Sequence, residues 1–567
     1  MNIYNKIKDI IIDIVKLECS NIDKDIIDSI SCEQPKNQKF GDVSSNVLMI
    51  LRKKNSIDVD EIKLKLISKL NKNPIFKNIS FLKPGFLNFH LNEEYWYDLL
   101  NVIYNNMNYG HQNLGLGKKV LIEFVSANPT GPLHIGHVRG AIFGDVLANV
   151  LEKNGYNVTR EYYVNDLGNQ IDKLLGTVKL HIENFKKNRK KSLNPEMYQG
   201  EYLKEIAKEI IDDSKDYRSD DLLKKTIVKK VLNLIKLDLK SLGIKFNTFI
   251  SEREIHDKGI LEVILTILKN NNELYNGVLD KPKGKEIEYW TPKEQLLFKS
   301  SNYGDINDRA IKKNNGSWTY FASDIAYHHD KILRGYDELI NIWGADHAGY
   351  IKRVDSAIKA LRHKNVKFTV KLCQIVSLLE NNKSIKMSKR TGNYILVKDI
   401  INKIGSDVIR FFMLTRKNDA HLDFDLSKAL KQSKENPIFY IQYAVARINS
   451  LNNLIKEKTI VFKSFDKIIF NRFNIEELNI IKNLSLWPKV IETSVIYKEP
   501  HRLVYYLIEL SAVLHNYWSM GKTNNSYKII NTDDLELMQA RTILINCVGS
   551  VLRNGLETIS IKPMEKM

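Results

Sequence analysis

The chain has 567 residues, 43% of them hydrophobic, with a formal charge of +19 and four cysteines. That length suffices for roughly three or four domains with cores of useful size. No apolar run reaches the length a bilayer crossing needs, and a basic excess of this size favours a polyanionic partner.

From Met1 to Ser20, Ile and Leu alternate with charged residues at helical spacing, and Asp9, Asp13 and Glu18 argue against a secretory or organelle leader. A cytoplasmic location is therefore expected. Pro84 and Gly85 turn the chain into a segment where Leu87, Phe89 and Leu91 alternate as on a strand. Residues 1–112 are expected to form an α+β N-terminal domain, with 113–119, which holds Gly115 and Gly117, as a linker. Next comes a strand over 120–125, a breaker-rich loop over 128–132, a helix from about 137 to 153 stopped by Gly155, and a strand over 158–164. Strand, loop, helix, strand is the opening of a doubly wound parallel sheet, so 113–430 reads as a Rossmann-type α/β domain with insertions. Residues 183–199 are lysine-rich and read as a solvated insertion. Helical spacing returns over 202–242. From Asn436 almost everything is helical, so 431–567 is expected to be a separate all-α domain.

The cysteines, Cys19, Cys32, Cys373 and Cys547, are far apart and form no CxxC pair, which speaks against a disulfide framework or a thiolate zinc site. No metal ligands are assigned.

The loop after the first strand of the α/β region reads Ala127-Asn128-Pro129-Thr130-Gly131-Pro132-Leu133-His134-Ile135-Gly136-His137. Its glycines and prolines let the backbone approach a ligand at a helix N-terminus, where unpaired N–H groups and the helix dipole favour phosphate. His134 and His137 can address the same space. Each can donate to a phosphate oxygen that gains charge in a transition state, and losing such a donor costs roughly 3–4 kcal/mol of barrier. Far downstream, Lys386-Met387-Ser388-Lys389-Arg390 precedes Thr391-Gly392-Asn393. Two lysines in a glycine-bearing loop can clamp a leaving pyrophosphate, because the lysine charge is compact and its stem flexible. Either run alone is weak; both in this order are specific.

On these two motifs the chain resembles the class I aminoacyl-tRNA synthetases, departing from their Lys-Met-Ser-Lys-Ser pattern only at Arg390. The resemblance implies ATP as substrate, accompanied by Mg²⁺. It implies that His134 and His137 assist attack at the α-phosphate, that Lys386 and Lys389 hold pyrophosphate, and that Gly136, Met387 and Ser388 lie along the nucleotide. Gly344-Ala345-Asp346-His347 resembles the family's segment beside the ATP ribose, with Asp346 as the hydroxyl partner.

The run from Glu123 through Pro132 and the run from Tyr320 through His328 look like the arginyl branch. That resemblance implies an arginine pocket of Glu123, Asn128, Tyr320 and Asp324. The chemistry agrees, since a guanidinium is a permanently charged fork of five donors that wants carboxylate oxygens. Glu123 is expected at the α-amino group, Tyr320 along the side chain, and His328 and His329 in structural roles.

Residues 40–46 and 84–89 resemble the arginyl enzymes' tRNA-contacting N-terminal domain; 436–448 and 500–507 resemble the helical anticodon-binding domain. As bare helix positions, Phe439, Tyr440 and Tyr443 read as core. The implied reaction forms arginyl-adenylate and pyrophosphate, then passes arginine to the terminal adenosine of tRNA, with tRNA bound before activation. A monomer without membrane association is expected by analogy. The rivals are another class I synthetase, a small-molecule nucleotidyltransferase with the same turn, and a non-catalytic tRNA-binding scaffold.

Overall fold

The computed structural model describes residues 2–19, 22–53, 58–188, 191–213, 219–279, 293–363, 366–385, 395–431, 433, 435–462 and 470–567. It divides into two compact units, one of residues 113–431 with 499–501, the other of 1–112 with 432–498 and 502–567.

The first unit is built on five parallel strands: β1 (Lys119–Glu123), β2 (Asn157–Val164), β3 (Thr248–Ser251), β4 (Glu338–Gly344) and β5 (Lys367–Cys373). Their spatial order is β3-β2-β1-β4-β5, the doubly wound arrangement expected from sequence. Chain order reverses between β1 and β4. Loops diverge there at the C-terminal ends of the strands, and this is where such sheets bind ligands.

Helix α1 (Ile135–Glu152) follows β1 and buries Val138, Ile142, Val146, Leu147 and Val150. It starts two residues earlier than the apolar spacing suggested, because His134 itself is the N-cap. Gly144 lets it lie close to the sheet, since a Cβ there would sit 2.4 Å from the Phe124 ring. The expected stop holds: Gly155 takes φ +82°, and the Tyr156 N–H closes the turn onto the Leu151 carbonyl.

Helix α2 (Asn169–Lys186) runs into the segment expected to be a solvated insertion. Lys187 and Lys191 do face solvent, both paired with Glu183, but the end of the segment turns inward: Tyr198 is part-buried beside Gly200 and Tyr202. Arg189 and Lys190 lie outside the described residues. Helix α3 (Tyr202–Asp212), helix α4 (Asp220–Ser241), the short helix α5 (Glu252–Asp257), helix α6 (Ile260–Asn270), helix α7 (Tyr320–Leu333) and helix α8 (Ile351–Ala360) complete the frame.

Two ion pairs fix α7 on the sheet. Lys331, fully buried, reaches Glu123 at the end of β1 at 2.5 Å, and Arg334 forks onto Glu161 of β2 at 2.5 and 2.9 Å. Burial alone would raise the Glu161 pKa, yet Arg334, Lys331 and the Tyr327 hydroxyl hold it below the usual value. The apolar side of α7, including Phe321, Ala322, Ile325 and Ala326, packs with Leu261, Ile264, Leu268 and Phe298.

The other unit joins the two ends of the chain. A four-stranded antiparallel sheet, whose strand Phe86–Leu91 buries Leu87, Phe89 and Leu91 as the alternation suggested, lies with helix Ile3–Glu18. Helices Pro437–Glu457, His501–Thr523 and Leu535–Thr558 complete it. Trp487 Nε1 donates to the Tyr109 carbonyl at 2.9 Å, Lys489 to the Cys32 carbonyl at 2.9 Å, and Lys482 pairs with Asp42 at 2.6 Å. The segments 1–112 and 431–567, read as separate domains, thus share one compact unit.

One helix here, Leu535–Thr558, is long and apolar enough by composition to cross a membrane, with mean hydropathy 1.2 over 18 residues. The sequence reading found no such run. Since 72% of that stretch is buried inside the protein, its apolarity is that of a core helix. All four cysteines are buried and none is in a disulfide.

Candidate active site

A cavity of about 690 Å³ opens at the C-terminal ends of β1 and β4, where the strand order reverses. Asn128, His134, Gly136 and His137 line it from the loop after β1; Gly344, Asp346 and His347 line it after β4.

The chain leaves β1 through two residues in the left-handed region, Val125 at φ +68° and Ser126 at +39°. For a β-branched residue such a conformation costs roughly 1–3 kcal/mol and persists only where surroundings impose it. Here they do. The Ser126 hydroxyl donates to Glu123 Oε1 at 2.9 Å and accepts from the Tyr163 N–H at 3.1 Å, while the Tyr162 hydroxyl donates to the Ala127 carbonyl at 2.8 Å. Asn128 is thereby presented at the cavity, its amide donating to Gln170 at 2.8 Å.

His134 Nδ1 accepts the Gly136 N–H at 3.2 Å, and His137 Nδ1 accepts the His134 N–H at 3.3 Å. With both Nδ1 atoms accepting, each neutral ring carries its proton on Nε2. The rings lie 3.9 Å apart between centroids. Two N–H donors therefore belong to one helix N-terminus, an arrangement suited to phosphate. Gly136 suits this closeness, because a Cβ there would lie 3.0 Å from the His134 ring and crowd it. Below them Arg139, buried, ties α1 to the carbonyls of Gln374, Lys417 and Ala420 at 2.6–3.1 Å.

Asp346 and His347 are exposed on the 3₁₀ turn Ala345–Tyr350, in keeping with a surface that meets a polar ligand. Lys386, Met387, Ser388 and Lys389 lie outside the described residues. Sequence reading missed the far wall, Tyr198, Gln199, Gly200 and Tyr202. Tyr202 donates its hydroxyl to the Thr130 carbonyl at 2.5 Å and so holds the histidine loop. Lysines dominate the local composition and mask this signal.

Glu123, Tyr320 and Asp324 do not line that cavity. Glu123 is buried and fully engaged, with Oε2 on Lys331 and Oε1 on Ser126, so it anchors the strained turn. Tyr320 is 67% exposed, with its hydroxyl beside Gly168.

Asp324, half-buried, belongs to an acid cluster with the buried Glu252 of α5 and the Tyr163 hydroxyl of β2. Burial pushes its pKa up to about 7, with Glu123 and Glu252 adding and a hydrogen bond from Tyr350 opposing. Burial, then Asp166, likewise raises Glu252 against a hydrogen bond from Ser323. Among the described residues neither acid is paired with a lysine or arginine, and the Tyr163 hydroxyl is buried without a hydrogen bond. The counter-charge that bears on Asp324 is Lys331, itself paired with Glu123. Glu252, Tyr163 and Tyr350 were not singled out from sequence, where an isolated acid or tyrosine carries no pattern. His328 is structural: its Nδ1 lies 2.8 Å from the Asp324 carbonyl, and its Nε2 lies 3.0 Å from Asn341, which also meets Lys331.

Three family models cover the chain: "Arginyl tRNA synthetase N terminal domain" over 1–91, "tRNA synthetases class I (R), catalytic domain" over 98–433, and "DALR anticodon binding domain" over 441–567. The chain belongs to the arginyl-tRNA synthetase family. Similar relatives include the arginine–tRNA ligases of Rickettsia felis, 42% identical over 582 residues, and Rickettsia bellii, 43% identical over 583 residues. Each alignment covers 100% of both chains. The arginyl-tRNA synthetase structure from Thermus thermophilus shares the fold, with TM-score 0.75, 17% identity and 100% of each chain covered.

In the family's anticodon-binding module, helix Pro437–Glu457 carries an aromatic ladder. Tyr443 stacks on His515 at 5.5 Å, Tyr440 lies 4.3 Å from the same ring, and Arg447 sits over Tyr443 and Trp518 at 4.7 and 5.1 Å. Phe439, Tyr440 and Tyr443 are not core as bare periodicity suggested: the first two are half-buried and Tyr443 is exposed, while Ile438, Ile441, Ala444 and Val445 fill the interior.

Proposed function

We propose that this enzyme, which ligates L-arginine to tRNA at the expense of ATP, reads the guanidinium with the acid cluster and activates the carboxylate at the histidine cavity. The observation that carries this is the neighbouring acid pair Asp324 and Glu252. Two carboxyls with raised pKa values and, among the described residues, no ion pair to a lysine or arginine gain most from a ligand that is always charged.

In the cavity ATP is the substrate, and a Mg²⁺ ion accompanying it would supply charge neutralisation at the phosphates. The Nε2–H groups of His134 and His137 donate to the α-phosphate as the arginine carboxylate attacks it. Lys386 and Lys389 hold the departing pyrophosphate, a role supported by their motif alone. Asp346 meets the ribose, Gly136 and Gly344 permit close approach, and His347, Met387 and Ser388 border the nucleotide. Asn128, which lines the cavity, meets the polar end of arginine. Glu123 acts through Ser126 by holding that loop, and Tyr320 closes the outer side of the pocket.

Arginine then passes to the terminal adenosine of tRNA, with release of AMP. Exposed Tyr443 with Arg447 offers bases a stacking surface in the anticodon-binding module. A cytoplasmic monomer, with tRNA bound before activation, is part of the reading, as is a division into 1–112, 113–430 and 431–567 by task.

Charging assays with arginine, lysine and citrulline, its uncharged isostere, test the reading. Arginine should be charged and citrulline rejected by roughly 10²-fold or more, the cost of leaving a buried charge unanswered. Comparable charging of arginine and citrulline would remove the acid cluster from recognition.

A further inference from the structure

We propose that Tyr350 is a positioning residue for arginine activation, its hydroxyl fixing the Asp324 carboxylate and tying it to the nucleotide wall of the cavity. This rests on the reading of Asp324 as the guanidinium partner.

Tyr350 donates its phenolic O–H to Asp324 Oδ2 and, among the described residues, is the sole side-chain donor to that carboxylate. It ends the 3₁₀ turn Ala345–Tyr350, whose first residues Ala345, Asp346 and His347 line the cavity. One short turn therefore presents its start to the nucleotide and its end to the acid that meets arginine. The ring is held edge-on by Phe321 at 6.3 Å, at a tilt by Trp343 at 6.1 Å, itself a lining residue, and by the Arg353 guanidinium 5.2 Å above it. A phenol held this firmly sets the plane of the carboxylate and leaves Oδ1 for the substrate fork. Such charge-assisted bonds are both short and directional.

The bond also favours the ionised form of Asp324 against its surroundings. Glu123 and Glu252 face that carboxyl and disfavour ionisation, Lys331 favours it, and the Tyr163 hydroxyl lies among the same acids. His328, on the same helix, meets only the Asp324 backbone carbonyl, and Arg309 and Arg353 act on Tyr350. Deleting the phenol hydroxyl removes a stabiliser of the carboxylate, so Asp324 should ionise at higher pH.

The experiment compares Tyr350→Phe and Asp324→Asn with wild type by pyrophosphate exchange in the presence of tRNA, across pH values on both sides of 7. Tyr350→Phe should raise the arginine KM about tenfold or more, in line with one lost hydrogen bond to a charged group. Its kcat should change little, and the acid limb of kcat/KM for arginine should move to higher pH. An unchanged arginine KM, or a fall equal at every pH with the limb unmoved, overturns the positioning role. If Tyr350→Phe melts early, the arginine-induced rise in its melting temperature decides: a reduced rise supports the proposal, and a wild-type rise overturns it. An Asp324→Asn enzyme with a normal arginine KM would instead overturn the pocket reading beneath it.

Discussion

The histidine wall of the cavity comes largely from one stretch of chain, residues 127–140, while the acid cluster is gathered from β2, α5 and α7. The wall is part-buried at its histidines and open at its rim: each histidine Nδ1 accepts a backbone N–H, and Asp346 and His347 face solvent. The acid cluster is hydrogen-bonded but, among the described residues, in no ion pair with a lysine or arginine, and burial pushes its two carboxyls toward their neutral forms. The difference teaches how the two sites divide the work. A helix terminus whose histidine Nδ1 atoms are already paired presents Nε2 to phosphate. An acid pair with raised pKa values loses its protons to solvent most readily when a permanent cation sits beside it, which makes it selective.

Breaking the wall should slow chemistry and spare recognition. His134→Ala is expected to slow pyrophosphate exchange, measured with tRNA present, by roughly 10²–10³-fold, the effect of losing one transition-state donor. The arginine-induced rise in melting temperature should remain. Exchange at the wild-type rate would take His134 out of the phosphate site. A smaller effect is expected away from both sites. Tyr443→Ala should raise the tRNA KM by roughly tenfold, within the range for one lost base-stacking partner, and leave the arginine KM unchanged. Equal tRNA kinetics would show that the exposed ladder is not a stacking surface.

The same contrast explains what could be read from the amino-acid order. The strand, the loop of prolines and glycines, and the helix after it follow from local rules: apolar spacing, breakers, and a glycine with positive φ at position 155. Those rules located the cavity's histidine side. The second motif was equally legible, but Lys386 to Lys389 lie outside the described residues. Glu123 was singled out by resemblance, yet its burial against Lys331, 208 positions away, is a tertiary fact that no periodicity carries. Tyr202, Glu252, Tyr163 and Tyr350 are invisible for the same reason, since each gains meaning from a partner far along the chain. The aromatic positions of helix Pro437–Glu457 were misread as core because a neighbouring stripe of Ile, Ala and Val, with the same spacing, fills that role.

The central claim is that Asp324 is the charge that selects arginine, and the arginine kcat/KM of Asp324→Asn, taken with the ATP KM in the same preparation, tests it most directly. Loss of a buried ionic partner costs roughly 3–5 kcal/mol, so the arginine kcat/KM should fall by about 10²–10³-fold while the ATP KM stays near wild type. An arginine kcat/KM within a few-fold of wild type, or an ATP KM that rises in step with it, would contradict the account.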